Sequence, residues 1–254
     1  MKRSLPFIII VLLVSLLMTG CSALDVFVER VPGSGELIVE HRELPAFNSI
    51  DASGDIQLFL TQLDKGVEVH AESNLMKYIR TYIEDQTLII EFAKADGSNI
   101  IIEPFEPIVI YVQFDRIKDI SLANGVEMTS SQLVAEGAEI NLSLYDDCHA
   151  SINALRTDIL HVDLFGGSEL EIVDGQVLEQ YIVASTDSSY TADWVKSDIT
   201  EITLSDGSEA SIWAEETFSV DISGGSIAYY YGSPTNLTEV RNKGESDYIS
   251  RGEH

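Results

Sequence analysis

The chain has 254 residues, with 15 Lys and Arg against 42 Asp and Glu, and a formal net charge of −27. That acidity argues against nucleic acid as a partner and against direct docking on anionic lipid headgroups, since both would meet like charge. Apolar residues make up 45% of the chain, enough to bury the core of one elongated domain.

Lys2 and Arg3 precede an apolar run from Leu5 to Met18, and the run ends in Leu17-Met18-Thr19-Gly20-Cys21. A basic start and an apolar stretch too short to span a bilayer make residues 1–20 a secretory signal. Small residues before a cysteine resemble the lipobox of bacterial lipoproteins, which would place a diacylglycerol on the thiol of Cys21. An ordinary exported protein with a stray cysteine is the alternative. Acyl chains anchor stably because each buried methylene contributes about 0.8 kcal/mol. Cleavage removes Lys2 and Arg3 and takes the formal charge from −27 to −29. Cys148 is then the only thiol, so no intramolecular disulfide can form. Residues 21–35, with Pro32-Gly33-Ser34-Gly35, read as a lipidated tether.

Residues 36–112 read as an N-terminal β portion. Ile50 to Leu60 alternates, and Asp85-Gln86 separates two runs able to form a hairpin. Asn74 to Thr81 has room for one helical turn. Such a portion would cap the strand edges of whatever follows.

From residue 113 to 250 a tight-turn dipeptide returns about every twenty residues: Asn124-Gly125, Asp146-Asp147, Gly166-Gly167, Asp187-Ser188, Asp206-Gly207, Gly224-Gly225 and Lys243-Gly244. Apolar residues alternate on both sides of each turn, the pattern of a β-solenoid whose coils must stack to bury their inner faces. Five positions before the second turn residue stand Ile120, Leu142, Val162, Val183, Ile202 and Val220. Three before it stand Leu122, Leu144, Leu164, Ser185, Leu204 and Ile222, and five after it Ser130, Ile152, Ile172, Asp193, Ile212, Tyr230 and Ile249. Looser corners follow at Glu136-Gly137, Asp174-Gly175 and Ser233-Pro234. The polar run from Ser250 to His254 offers little to close the last coil.

The run Phe47-Asn48-Ser49-Ile50-Asp51-Ala52-Ser53-Gly54, then Val67-Glu68-Val69 with Asn74, then Leu88-Ile89-Ile90, resembles in its order the head GIN domain family (DUF2807) of auto-transporter adhesins. The turn repeat and the lipoprotein start strengthen the resemblance, which covers about Gly35 to Ile249. It implies a right-handed β-helix related in shape to pectin lyases, without a catalytic set, and an adhesion role at the cell envelope.

Asp146-Asp147 followed by His149 is the most enzyme-like cluster, since β-helix hydrolases use paired carboxylates. Both aspartates occupy turn positions that suit short acidic residues for conformational reasons. Between Asp119 and Val240 the only basic residues are Arg156 and Lys196, few for gripping acidic sugars. The reading is therefore no catalytic residue, no metal and no cofactor. Glu127, His149, Glu169, Tyr190 and Glu209 form an outward column, a solvated acidic face. Cys148 falls in an inward ladder with Ser168, Ser189, Ser208 and Ser226.

The sharpest binding expectation is an aromatic strip of Trp194, Trp213 and Tyr231 on consecutive coils, flanked by Tyr229 and Tyr190. Exposed, it would suit sugar rings or a hydrophobic partner; folded over a corner, the same rings would plug the coil. The sequence thus reads as an exported, lipid-anchored interaction module of the cell envelope, with a glycan or a surface protein as partner. A β-helix polysaccharide hydrolase or lyase and an accessory in envelope stress sensing are the alternatives. Oligomeric state is not fixed.

Overall fold

Hydrogen bonds between coils, rather than within them, organise the molecule. The computed structural model describes residues 28–62, 66–135 and 137–253; the signal segment and Cys21 lie outside the described residues. The chain winds into a β-solenoid of about seven turns. Each coil has an upstream strand, a tight turn, a downstream strand, and a short strand after a loose corner.

The upstream face stacks Asp119–Ala123, Glu139–Tyr145, Ile159–Phe165 and Glu179–Ser185 in parallel. The downstream face stacks Glu127–Ser130, His149–Ile152 and Glu169–Ile172. Leu133–Val134, Leu155–Arg156 and Gly175–Gln176 form the short face. Ser189–Leu204 and Glu209–Ile222 then run unbroken around a whole coil, so the three faces merge. Inward residues form apolar ladders, among them Ile120, Leu142, Val162, Ile182, Ile202 and Val220, all buried. Each such side chain contributes roughly 1.5–3 kcal/mol on burial.

The tight turns place two consecutive residues at positive φ, as at Asp146 (58°) and Asp147 (60°), or Gly166 (67°) and Gly167 (76°). They stack as well: the Asp147 N–H donates to Gly166 O (2.9 Å), Gly167 N–H to Thr186 O (2.8 Å) and Asp187 N–H to Asp206 O (2.9 Å). The second turn position alternates Gly125, Asp147, Gly167, Asp187, Gly207. The reason is steric, because a Cβ on Gly167 would lie 2.7 Å from Asp147 Oδ1.

Two of the expected turns are displaced by one residue. The fourth is Thr186-Asp187 (φ 61° and 57°) rather than Asp187-Ser188, and the last is centred on Gly244 with Glu245 as its second residue. Sequence chemistry favoured Asp-Ser over a β-branched Thr at positive φ. The stack overrode it, because a one-residue slip would turn every side chain of the coil inside out. Ile182, Ala184, Tyr190 and Ala192 are therefore the buried residues, not Val183, Ser185 and Asp193. Ile249 stands over Tyr229, so Ser250 takes the place assigned to it over Tyr230.

At the N-terminal end, chain order and stacking order differ. The coil of Ser49–Ser53 and Gln57–Gln62 lies between the first repeat coil and a coil made of Thr87–Phe92 and Val109–Phe114. Antiparallel strands cover that outermost coil: Ile79–Glu84 on Thr87–Phe92, closed by the hairpin turn Asp85-Gln86, and Gly66–Glu72 on Val109–Phe114, with Leu37–Arg42 beyond. A single 3-10 turn, Met76–Tyr78, joins them. Arg30–Pro32 pairs with Ile101–Glu103, so the stretch read as a tether is docked from Arg30 onward. Glu72 is buried and accepts from the backbone N–H of Gly35 (2.5 Å), Phe105 (2.6 Å) and Glu106 (3.2 Å).

The opposite end closes with polar groups. Glu239 stands on the inward row above Val220 and Tyr248 above Ala228. The Tyr248 hydroxyl donates to Glu239 Oε2 (3.0 Å) across the mouth of the coil. An inward charge of this kind blunts a sheet end against further strands.

Candidate functional site

The corner between the downstream and short faces near the C-terminal end holds the residues of the expected strip. The coil containing Asp193-Trp194-Val195 is longer there than its successor. Ala192 pairs with Ile212 and Lys196 with Trp213, leaving residues 193–195 without counterparts above them. Val195 turns inward and is buried, while Trp194 points out with 57% of its surface exposed.

Trp213 therefore sits over Lys196 and not over Trp194. It is buried, its ring stacked on Tyr231 (centroids 6.3 Å apart, planes at 22°) and covered by Lys196 Nζ at 4.6 Å. Tyr229 lies two residues before Tyr231 on the same strand, under the Arg251 guanidinium (4.2 Å). Tyr190 is fully buried, because the one-residue shift of the turn makes its position an inward one. Its hydroxyl donates to Gln180 Oε1 (3.2 Å), and burial pushes its pKa far above the usual tyrosine value. The strip thus divides: Tyr190 belongs to the core, Trp213 plugs the corner against Tyr231, and Trp194 faces solvent.

Beneath the corner the core is polar. Gln180 Nε2 donates to Ser197 Oγ (2.8 Å) and Thr200 Oγ1 (3.2 Å), and Ser197 Oγ donates to Trp213 O (2.9 Å). This network satisfies the groups that the shortened coil leaves inside, as buried polar groups require, and it holds the Trp213 backbone in place.

Asp146, Asp147 and His149 do not converge. The aspartates lie on the turn column, while His149 is on the downstream face, where Nδ1 meets Glu169 Oε2 at 3.3 Å. Its outward row runs Glu127, His149, Glu169, Ser189, Glu209, with Ser189 in the place expected for Tyr190. Cys148 is buried in a ladder with Ser168, Ser188, Ser208 and Ser226; Ser188 replaces the expected Ser189. Its Sγ donates to Tyr145 O (3.1 Å) as the Ser168 hydroxyl does to Phe165 O (2.9 Å). Burial raises the thiol pKa, which disfavours the reactive thiolate. Among the described residues no group of three or more His, Cys, Asp or Glu is placed to hold a metal ion.

Sequence reasoning missed two features. On the upstream face Tyr145 stacks on Phe165 (5.6 Å, 4°) and His161 on Tyr181 (5.0 Å, 14°), with the Tyr181 pKa raised to about 12 by its hydrogen bond to Glu179. These pairs recur one coil apart, a spacing that a column reading could have found. The second is an open groove of about 660 Å³ on the short face, lined by Arg116, Arg156, Asp158, Asp174 and Gln176 among others. Trp194 stands one coil above Asp174, at the end of that groove.

The family model described as "Putative auto-transporter adhesin, head GIN domain" matches residues 46–234. A solved structure titled as a putative adhesin of Bacteroides fragilis superposes with a TM-score of 0.72 at 16% identity, covering 88% of this chain and 98% of that one. A Parabacteroides distasonis structure titled as a putative lipid binding protein gives 0.66 at 18% identity, covering 87% and 100%. A putative adhesin of Parabacteroides merdae gives 0.61 at 18%, covering 88% and 97%. At these identities the likeness concerns the fold. No curated protein matched. Among the described residues no helix is long and apolar enough to cross a membrane.

Proposed function

Because the chain belongs to the head GIN domain family, we propose that it is a non-catalytic interaction module, exported and lipid-anchored through Cys21, that holds a glycan or surface partner at the cell envelope. The observation that carries this reading is Trp194: a large ring, more than half exposed, overhanging a corner beside an open groove. Burying such a ring against a partner is worth several contacts at once, which is why exposed tryptophans dominate binding surfaces. The groove is an open trough rather than a closed pocket, and it suits holding an extended partner more than enclosing a small substrate.

The test is binding of the full-length chain, in detergent micelles, to an array of glycans and envelope polymers, with product analysis on every hit. Binding without turnover, weakened about tenfold or more in Trp194→Ala, a loss typical of a removed hot-spot ring, supports the reading. Turnover of any polymer would replace it with the β-helix hydrolase or lyase alternative and return attention to Asp146, Asp147 and His149. Binding unaffected by Trp194→Ala would move the contact surface elsewhere, the stacked pairs of the upstream face first.

A further inference from the structure

The sequence places four Lys or Arg between residues 95 and 240: Arg116, Lys118, Arg156 and Lys196. Three of them fall on one row of the short face. Ile117 bridges to Ala135, which sets Arg116 beside Val134; Val134 pairs with Arg156, Leu155–Arg156 with Gly175–Gln176, and Gln176 with Lys196. The outward row on successive coils therefore reads Arg116, Val134, Arg156, Gln176, Lys196. It ends on the stacked pair Trp213 and Tyr231. All three cations are exposed and flanked by inward buried neighbours, Ile117, Leu155 and Val195, so they project from the same surface.

Strands in a sheet stand about 4.8 Å apart, so the cations recur every two coils, about 9.6 Å. A molecule carrying 42 acidic side chains has thus put three of the four Lys and Arg found between residues 95 and 240 in one line along its axis. We propose that this row is a binding site for an extended acidic glycan, a uronate chain lying along the solenoid axis with carboxylates on Arg116, Arg156 and Lys196. In a two-fold extended chain the carboxylates of alternate sugars project to the same side, and an alternate-coil row of cations fits that repeat. Gln176, between two cations, can hydrogen-bond the intervening sugar. Trp194, two residues before Lys196, lies on the same outward side and is 57% exposed. Asp158 and Asp174 line the same groove, where their carboxylates can accept from sugar hydroxyls. Lys196 also meets Glu215 (3.5 Å), an exposed pair of the kind that contributes little and yields to a ligand carboxylate.

This inference rests on the interaction-module reading and names its ligand class. The experiment measures binding of the full-length chain to three probes: a β-1,4-mannuronate octasaccharide, the β-1,4-mannose octasaccharide that differs by having CH2OH for each carboxylate, and polyphosphate. The expected result is binding of the mannuronate, roughly tenfold weaker in Arg156→Gln and in Lys196→Gln, as for loss of one charge-assisted hydrogen bond, and unchanged in Lys118→Gln. The mannose chain and polyphosphate should bind at least about tenfold less tightly, since one carries no charge and the other no sugar ring. Equal binding of the mannose chain would overturn the role of charge, and equal binding of polyphosphate would overturn the glycan. If none of the three binds while an array polymer binds in a Trp194-dependent way, the acidic-glycan site falls and the module reading stands. Silence of both probes and array would overturn both.

Discussion

Thr186 shows how a single residue can be out of character with its position. It sits at φ 61°, a conformation that a β-branched side chain adopts at a cost of about 1–2 kcal/mol. Its neighbours on the turn column are Gly166 and Asp206, and the stack holds it there, together with a hydroxyl contact to Ser185 Oγ (3.1 Å). Thr186→Gly and Thr186→Asn should each stabilise the fold by about 1 kcal/mol, read as a higher midpoint in urea at unchanged slope. No gain in either variant would mean that the threonine is not strained. The same residue marks where the sequence misleads. Turn chemistry and alternation predict the solenoid and most of its inward ladders, and they slip by one residue at the last turn, around Gly244, and at the turn that begins with Thr. That one-residue error hid the binding row, because Arg156, Gln176 and Lys196 stand nine residues past their turns only when the turn ends at Asp187. The exposure of Trp194 was illegible for another reason: it depends on the next coil being shorter at that corner, a property of two coils rather than one.

Among the elements, the N-terminal cap depends on one carboxylate. The Gly35 amide first, then those of Phe105 and Glu106, hold the Glu72 carboxyl below the usual glutamate range, against the opposing effect of burial. They tie the chain entering at Pro32 to the loop at Phe105 and to the cap strand Gly66–Glu72. A group whose pKa is depressed in the folded state adds stability above its unfolded value, about 4.3, and that stability is lost as pH falls through the folded-state value. Glu72→Gln should therefore lower Tm at pH 7, and the gap to the parent protein should narrow by pH 3, followed by circular dichroism melts. A gap of the same size at both pH values would show that the carboxylate charge is not what holds the cap.

For the whole molecule, charge and shape act in opposite directions. Among the described residues the upstream face holds nine parallel strands, eight steps of about 4.8 Å, giving an axis of about 38 Å. A net charge of −27 surrounds that length. An acidic glycan approaching the row of Arg116, Arg156 and Lys196 must cross this field before it meets a cation. Its association rate should rise as salt is raised from 10 to 150 mM, because the screening length shrinks from about 30 Å to about 8 Å, the reverse of ordinary steered binding. Stopped-flow or surface-based kinetics at three salt concentrations reads this directly, and a rate that falls with salt would show that the cations dominate even at a distance.

The turn column carries a further consequence, for how such a chain can change in length. Glycine and aspartate alternate along it from Gly125 to Gly207, each Asp folding over the glycine of the next coil. The cations of the short face alternate with the same period of two coils. Duplicating the single coil that contains Asp147 would stack one aspartate on its copy and move Arg156 out of step with Lys196. Duplicating two coils together would preserve both patterns. The natural unit of insertion or deletion in this solenoid is therefore a pair of coils, and chains that lengthen by this route should do so in steps of about forty residues.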